Sequence, residues 1–142
     1  MVVMVIFMRF LQKMSLTCNN GITLGYSNIK MAMIDNFGPS NIVDVTSDVN
    51  KLYFAPEISS NGSDLLVTGH DFTVAGNIEI LAQRFDFDLL AIDNSFLLVS
   101  KPGNQLGGVA NYSNDKYFII WNDKVTVNAT TVNFVFVMFM EL

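Results

Sequence analysis

Charge is scarce in this sequence. Charged residues make up 15% of it and apolar residues 51%, whereas an ordinary soluble domain is about 25% charged. A lone domain so poor in charge has little with which to solvate its surface, so part of that surface is expected to be covered. Basic residues are scarcer still. The eight Lys and Arg are scattered singly in a chain of net charge −5, which leaves no basic stripe to neutralise phosphates and argues against nucleic acid as a partner. Long apolar runs are missing too. The longest are Met1 to Met8 and Phe134 to Met140, far short of the ~18–20 residues that a membrane-spanning helix needs. Protein remains as the expected cover. The single cysteine, Cys18, cannot form an internal disulfide, which excludes a bridge-stapled scaffold; it reads as a small, half-buried hydrophobe.

What is present is a strand pattern. At 142 residues the chain has room for one domain, which at this size buries about 70% of its unfolded surface. Val2 to Phe7 reads as a strand buried on both faces. Asn19-Asn20-Gly21 then separates Ser15–Cys18 from Ile22–Tyr26 as a hairpin turn, because Asn-Gly adopts positive φ at little cost. Further strands are expected at Ile29 to Ile34, Leu65 to Val67, Asn77 to Ala82, Asp88 to Ile92 and Phe96 to Val99. Ser40 to Ser63 reads as a polar loop anchored by Leu52-Tyr53-Phe54. Lys101-Pro102-Gly103-Asn104 has the chemistry of a type II turn. Tyr117 to Trp121, Asn122-Asp123 and Lys124 to Val127 suggest a hairpin, and Thr131 to Met140 the last and longest strand. A helix competes across Gly76 to Leu90, where Ile78, Leu81, Ala82 and Phe85 have helical spacing, but Phe85-Asp86-Phe87-Asp88 alternates with a period of two. The expected fold is therefore mainly all-β, an antiparallel β-sandwich or barrel with room for one short helix.

The expected organisation is an apolar N-terminal strand or arm over 1–13 and a single β domain over 14–142. Met1 to Met8 imitates the apolar part of a signal peptide, yet no positive charge precedes it and no small-residue cleavage site follows. A start at Met14, giving Met-Ser-Leu-Thr, is the alternative to one at Met1.

Residues with chemical potential are few, and each has a plainer explanation. His70, the one histidine, is followed by Asp71, but neighbours on a strand point to opposite faces, so Asp71 is badly placed to orient it. A turn histidine is the plainer account. Asp86, Asp88 and Asp93 offer oxygen ligands without the spacing or the closing Glu of a dedicated calcium loop; a solvated strand face explains them. Gly103, Gly107 and Gly108 lack the Gly-Lys-Ser/Thr of a phosphate cradle and read as a mobile loop. Asn61-Gly-Ser63, Asn111-Tyr-Ser113 and Asn128-Ala-Thr130 match the N-glycosylation triplet, as an Asn-rich chain does by chance. No catalytic set, metal site or cofactor is expected. Tyr112, Tyr117 and Trp121 fit core or interface material, with stacking on a sugar ring as the alternative.

The segment Leu16-Thr-Cys-Asn-Asn-Gly-Ile-Thr-Leu24, the Asn-, Gly- and Ser-rich turns in mid-chain, the Trp121 hairpin and the terminal strand Thr131 to Met140 together resemble the small β-sandwich proteins of tailed bacteriophage virions, placed at the tail tip, collar or head surface. The likeness covers the chain from Met14 onward and carries no diagnostic motif. It implies a non-catalytic virion structural subunit, assembled in the host cytoplasm, with copies of itself and other virion proteins as partners. A carbohydrate- or host-receptor-binding β module, meeting a host surface glycan, is the alternative function. The terminal strand is apolar on both faces after Asn133. One face (Val132, Phe134, Phe136, Met138, Met140) can fill a core; Val135, Val137 and Phe139 on the other then form an assembly interface. Val3, Val5 and Phe7 of the N-terminal strand are expected to join it.

Overall fold

The computed structural model describes the backbone of residues 4–17, 23–35, 37–48, 51–74, 76–127 and 130–140, and the side chains of 28–34, 37–48, 51–74 and 76–123. The strands are β1 (Met4–Thr17), β2 (Thr23–Asp35), β3 (Gly38–Asp44), β4 (Tyr53–Ser60), β5 (Leu65–Val74), β6 (Asn77–Phe85), β7 (Phe96–Val99), β8 (Asn104–Ser113), β9 (Lys116–Val127) and β10 (Thr130–Met140). The fold is all-β, as expected. Among the described residues no helix forms: the stretch with helical spacing folds as β6 and the turn after it. Two sheets pack together without closing into a barrel, one ordered β1-β2-β3 and one ordered β10-β9-β8-β6-β5-β4, with β7 on β6.

Strands β5 and β6 are the centre. Leu65 and Val67 join Ile29 and Met31 of β2 in one core, with Tyr53, Leu81, Phe85 and Leu89. Leu66, Ile80 and Ala82 join Ala110, Tyr117, Ile119 and Trp121 of β8 and β9 in a second core. Alternate residues of β5 thus face different cores, because successive side chains of a strand point to opposite faces. Each fully buried side chain of this kind contributes about 1.5–3 kcal/mol. Packing is close at Gly69, where a Cβ could fit only if the Ile29 Cδ1 methyl moved aside.

Several sequence-based boundaries shift. Ser40 to Ser63 is not a loop: it holds part of β3 and all of β4, pairing with β2 and β5. Its polar residues fit strands because β3 and β4 lie at sheet edges. β1 runs unbroken from Met4 to Thr17, so position 13/14 falls inside one strand. Ile22–Tyr26 and Ile29–Ile34 likewise fall largely within one strand, β2. The pair Thr17↔Thr23 is consistent with a hairpin at Asn19-Asn20-Gly21, though the turn itself lies outside the described residues. Asp88 to Ile92 forms a turn with one bridge, Phe85↔Ala91. Asp86 Oδ1 organises it by accepting the N–H groups of Asp88 and Leu90 at 2.9 and 2.8 Å.

The largest correction concerns the hairpin expected at Asn122-Asp123. Asn122 and Asp123 are not a turn but lie inside the continuous strand β9. The turn is at Asn114-Asp115, with φ of 52° and 59°, closed by the pair Ser113↔Lys116. Two positive φ values in a two-residue loop define the type I′ turn, whose twist suits a hairpin.

Candidate functional site

The β8-β9-β10 unit carries a face with unusual composition. In an antiparallel ladder, residues directly opposite share a face. Val109 lies opposite Ile120, and Leu106 opposite Asn122. Leu106, Val109 and Ile120 are 37%, 49% and 38% exposed. The register extends this face to the terminal strand, where Val135, Val137 and Phe139 lie opposite Asn122, Ile120 and Phe118. The alternate set, Phe136, Met138 and Met140, lies opposite Trp121, Ile119 and Tyr117; those three residues of β9 are buried in the second core. The backbone register therefore divides the two faces of the strand as its pattern suggests. Lys116 and Lys124 flank the apolar rows at either end, and Asp115 lies in the adjoining turn. Val5 and Phe7 belong to β1, opposite Met33 and Met31 of β2; their side chains, and Val3 entirely, lie outside the described residues. So do the side chains of Val135, Val137 and Phe139.

The aromatic trio does not form a stacking platform. Tyr117 and Trp121 are 1% and 7% exposed, in the second core. Tyr112 packs against Tyr117 edge-on, ring centroids 5.0 Å apart. The Tyr117 hydroxyl donates to buried Asp64 Oδ1 at 2.8 Å, and burial together with that carboxylate pushes the phenol pKa well above its ordinary value.

Beneath the face lies the histidine. His70 is in β5, 3% exposed, so it is not a turn residue. It stacks on Phe54, centroids 5.2 Å apart. Its Nε2 accepts the Gly107 N–H at 2.9 Å, and Thr68 Oγ1 donates to the Gly108 carbonyl at 2.8 Å. Gly107 and Gly108 are accordingly strand residues at an irregularity of β8, between Leu106 and Val109, and not a mobile loop. Gly107 has φ of 69°, and a Cβ on Gly108 would lie 2.8 Å from Ile80 Cγ2. An imidazole nitrogen that accepts must be unprotonated. Burial lowers the His70 pKa, and the Phe54 and Ala55 carbonyls and Glu57, which pull the other way, do not offset it. Asp71, next along the strand, is held by other partners: Lys51 Nζ at 2.7 Å and the Thr73 N–H at 2.9 Å. Burial alone would raise its pKa; these hydrogen bonds turn the shift downward. The pair His70–Asp71 thus has no catalytic geometry.

A polar cleft of about 420 Å³ opens elsewhere, lined by Asp44, Thr46, Asp48, Lys51, Gln83 and Asn94 among others. Asp93 does not join Asp86 and Asp88 as a ligand set, since Arg84 Nε holds it at 2.7 Å. Among the described residues no group of three His, Cys, Asp or Glu is placed to hold a metal ion, and no helix is long and apolar enough to cross a membrane.

Sequence reasoning missed Leu106, Val109 and Ile120, and the polar bonds between β5 and β8. Ile120 sits in a run, Tyr117 to Trp121, that is apolar on both faces, which does not say which face is exposed; the polar bonds join residues some 40 positions apart and carry no local signal. No family model, curated protein or solved structure matches the chain.

Proposed function

We propose that this chain is a non-catalytic structural subunit that assembles through the outer face of β8-β9-β10. A tailed-phage virion is the setting implied by the sequence resemblance, and copies of the chain and other virion proteins are the partners. One observation carries the proposal: the exposed row Val109–Ile120 is in register with Val137 of an apolar terminal strand. Exposed Val109 and Ile120, in register with an apolar strand and with Lys116 beyond them on the same face, suit the apolar centre and polar rim of an interface. Light scattering on the purified protein should give a mass well above 15.8 kDa, and Ile120→Asp should lower it while the circular dichroism stays that of a β protein. A folded monomer in both cases would remove the proposal.

The polar cleft supports a second function, binding of a host surface glycan. Its carboxylates, amides and hydroxyls are the groups that recognise sugar hydroxyls, so the cleft replaces the buried aromatics as the place to look. A glycan array probed with the wild-type domain and with Asp48→Ala tests it; signal that Asp48→Ala abolishes supports the second function.

A further inference from the structure

The outer face ends at an edge, and that edge is unguarded. Folded proteins protect exposed strand edges with charge, proline, bulges or shortness, because an open row of N–H and C=O groups invites pairing. Every other edge strand here carries such a device. β1 holds Arg9 and Lys13 and shifts register between Gln12 and Leu16. β3 contains Pro39 and Asp44 and has a register shift against β2. β4 contains Pro56 and Glu57, with Ala55 at φ 48° and a register shift at the same place. β7 has only four residues. β10 has none of these. It is 11 residues long, without charge or proline, and pairs with β9 from Thr130 to Met140 with no register shift. Among the described residues nothing pairs with its second edge.

Resting on the assembly function above, we infer that the partner at this edge is β10 of a second copy, paired antiparallel about a two-fold axis. An open strand edge asks for another strand, since only a strand supplies alternating donors and acceptors at the right spacing. Among the described strands, the one unguarded edge that a copy of this chain can offer is β10 itself. Two-fold pairing satisfies both edges at once and leaves neither open, so it closes instead of propagating. The absence of charge along the strand means that no like charges meet across the axis. In the resulting sheet, β8-β9-β10 of one copy continues into β10-β9-β8 of the other. Their outer faces, with Val109 and Ile120 of each copy, become one surface, available to the next partner.

Single cysteines placed in turn at positions 131–139, in a Cys18→Ser background, test this by mild oxidation. Two-fold antiparallel pairing brings one position opposite itself, so disulfide-linked dimer should peak at one position, or at immediate neighbours, and fall away on both sides. Val109→Cys and Ile120→Cys, on the same face but away from the edge, should cross-link weakly or not at all. The mass in solution should correspond to an even number of copies. Cross-linking at every position along the strand would mean in-register parallel pairing, and at every second position packing of face against face; either would overturn the inference. So would cross-linking at 109 or 120 with none along 131–139, an outcome that leaves assembly through the face intact. A monomer in light scattering, with no cross-link anywhere, would overturn both. Cysteine is a small and apolar replacement, and circular dichroism of each variant shows that the fold is retained.

Discussion

The centre of the molecule and its β9-β10 wing distribute polarity in opposite ways. At the centre, buried residues include Asp64, Thr68, His70 and Asp71. In the wing, the outer face exposes Ile120 beside the register positions of Val135, Val137 and Phe139. Partners are fixed for three of these groups: Tyr117 for Asp64, Lys51 for Asp71, and the Gly107 N–H for His70 Nε2. Their role is to fasten one strand to another across the core, from β5 to β8 and from β9 to the turn before β5. An uncompensated polar group in such a place costs about 1–3 kcal/mol, so each fastening penalises alternative packings. The wing has no such internal reason for its composition. Difference in location therefore separates what holds the single chain together from what remains for a neighbour.

That contrast can be broken at the centre first. Leu66→Ala or Ile80→Ala removes a side chain that is 0% exposed and should cost about 2–5 kcal/mol, read as a lower midpoint in denaturant. Loss of less than about 1 kcal/mol would mean that the two cores are not close-packed around β5 and β6. Next in size is Tyr117→Phe. It leaves Asp64 buried, with Arg84 at 3.7 Å as its remaining ion-pair partner, and a destabilisation of about 1–3 kcal/mol is expected.

A pH titration sharpens the comparison further, because the centre holds the histidine and the wing does not. His70 is neutral in the fold and has a lowered pKa, so below about 6.5 the unfolded chain is the better proton binder. Stability should be complete above that pH and should decline as pH falls below it toward the folded value. His70→Gln should flatten the decline in this window. Asp71 acts lower: its depressed pKa gives stability that is present above the ordinary carboxylate range and lost as pH falls through it. Protonating His70 also turns its acceptor toward the Gly107 N–H into a donor, so amide exchange at 106–109 should accelerate over the same window. An exchange rate there independent of pH, after correction for intrinsic chemistry, would separate His70 from the β8 irregularity.

The smallest effect is expected in the wing. Val109→Ser and Ile120→Ser change exposed positions and should alter the stability of the single chain by no more than about 0.5 kcal/mol, while reducing its association. A large loss of stability at a concentration where the protein is monomeric would show that the outer face belongs to the chain's own core.

Much of the architecture was legible in the residues. The β-branched and aromatic runs marked β5, β7 and β10, and Pro102-Gly103 marked a turn in which Gly103 indeed has φ of 110°. The alternation of the last strand separated its two faces before any partner strand was known. Those signals are local, set by the two-residue period of a strand and by the φ preferences of Gly, Pro and Asn. Edge strands β3 and β4 were hidden for the converse reason: their polar and proline residues match what local rules assign to loops, and only pairing with β2 and β5 makes them strands.

The clearest division between the two kinds of information is a repeated tripeptide. Asn-Asp-Lys occurs at 114–116 and again at 122–124. The first forms the type I′ turn of the β8-β9 hairpin. The second runs straight through β9, with Asn122 paired between Leu106 and Val135 and Asp123 buried beside Gln105 Nε2 at 3.4 Å and Lys101 Nζ at 3.8 Å. Local propensity is the same at both sites, so it determined only that either was suited to turn. Tertiary structure made the choice. Turning at 114–115 brings Ala110 and Tyr112 opposite Ile119 and Tyr117 over Ile80. It also leaves β9 long enough to pair with all of β10, which a turn at 122–123 would forfeit.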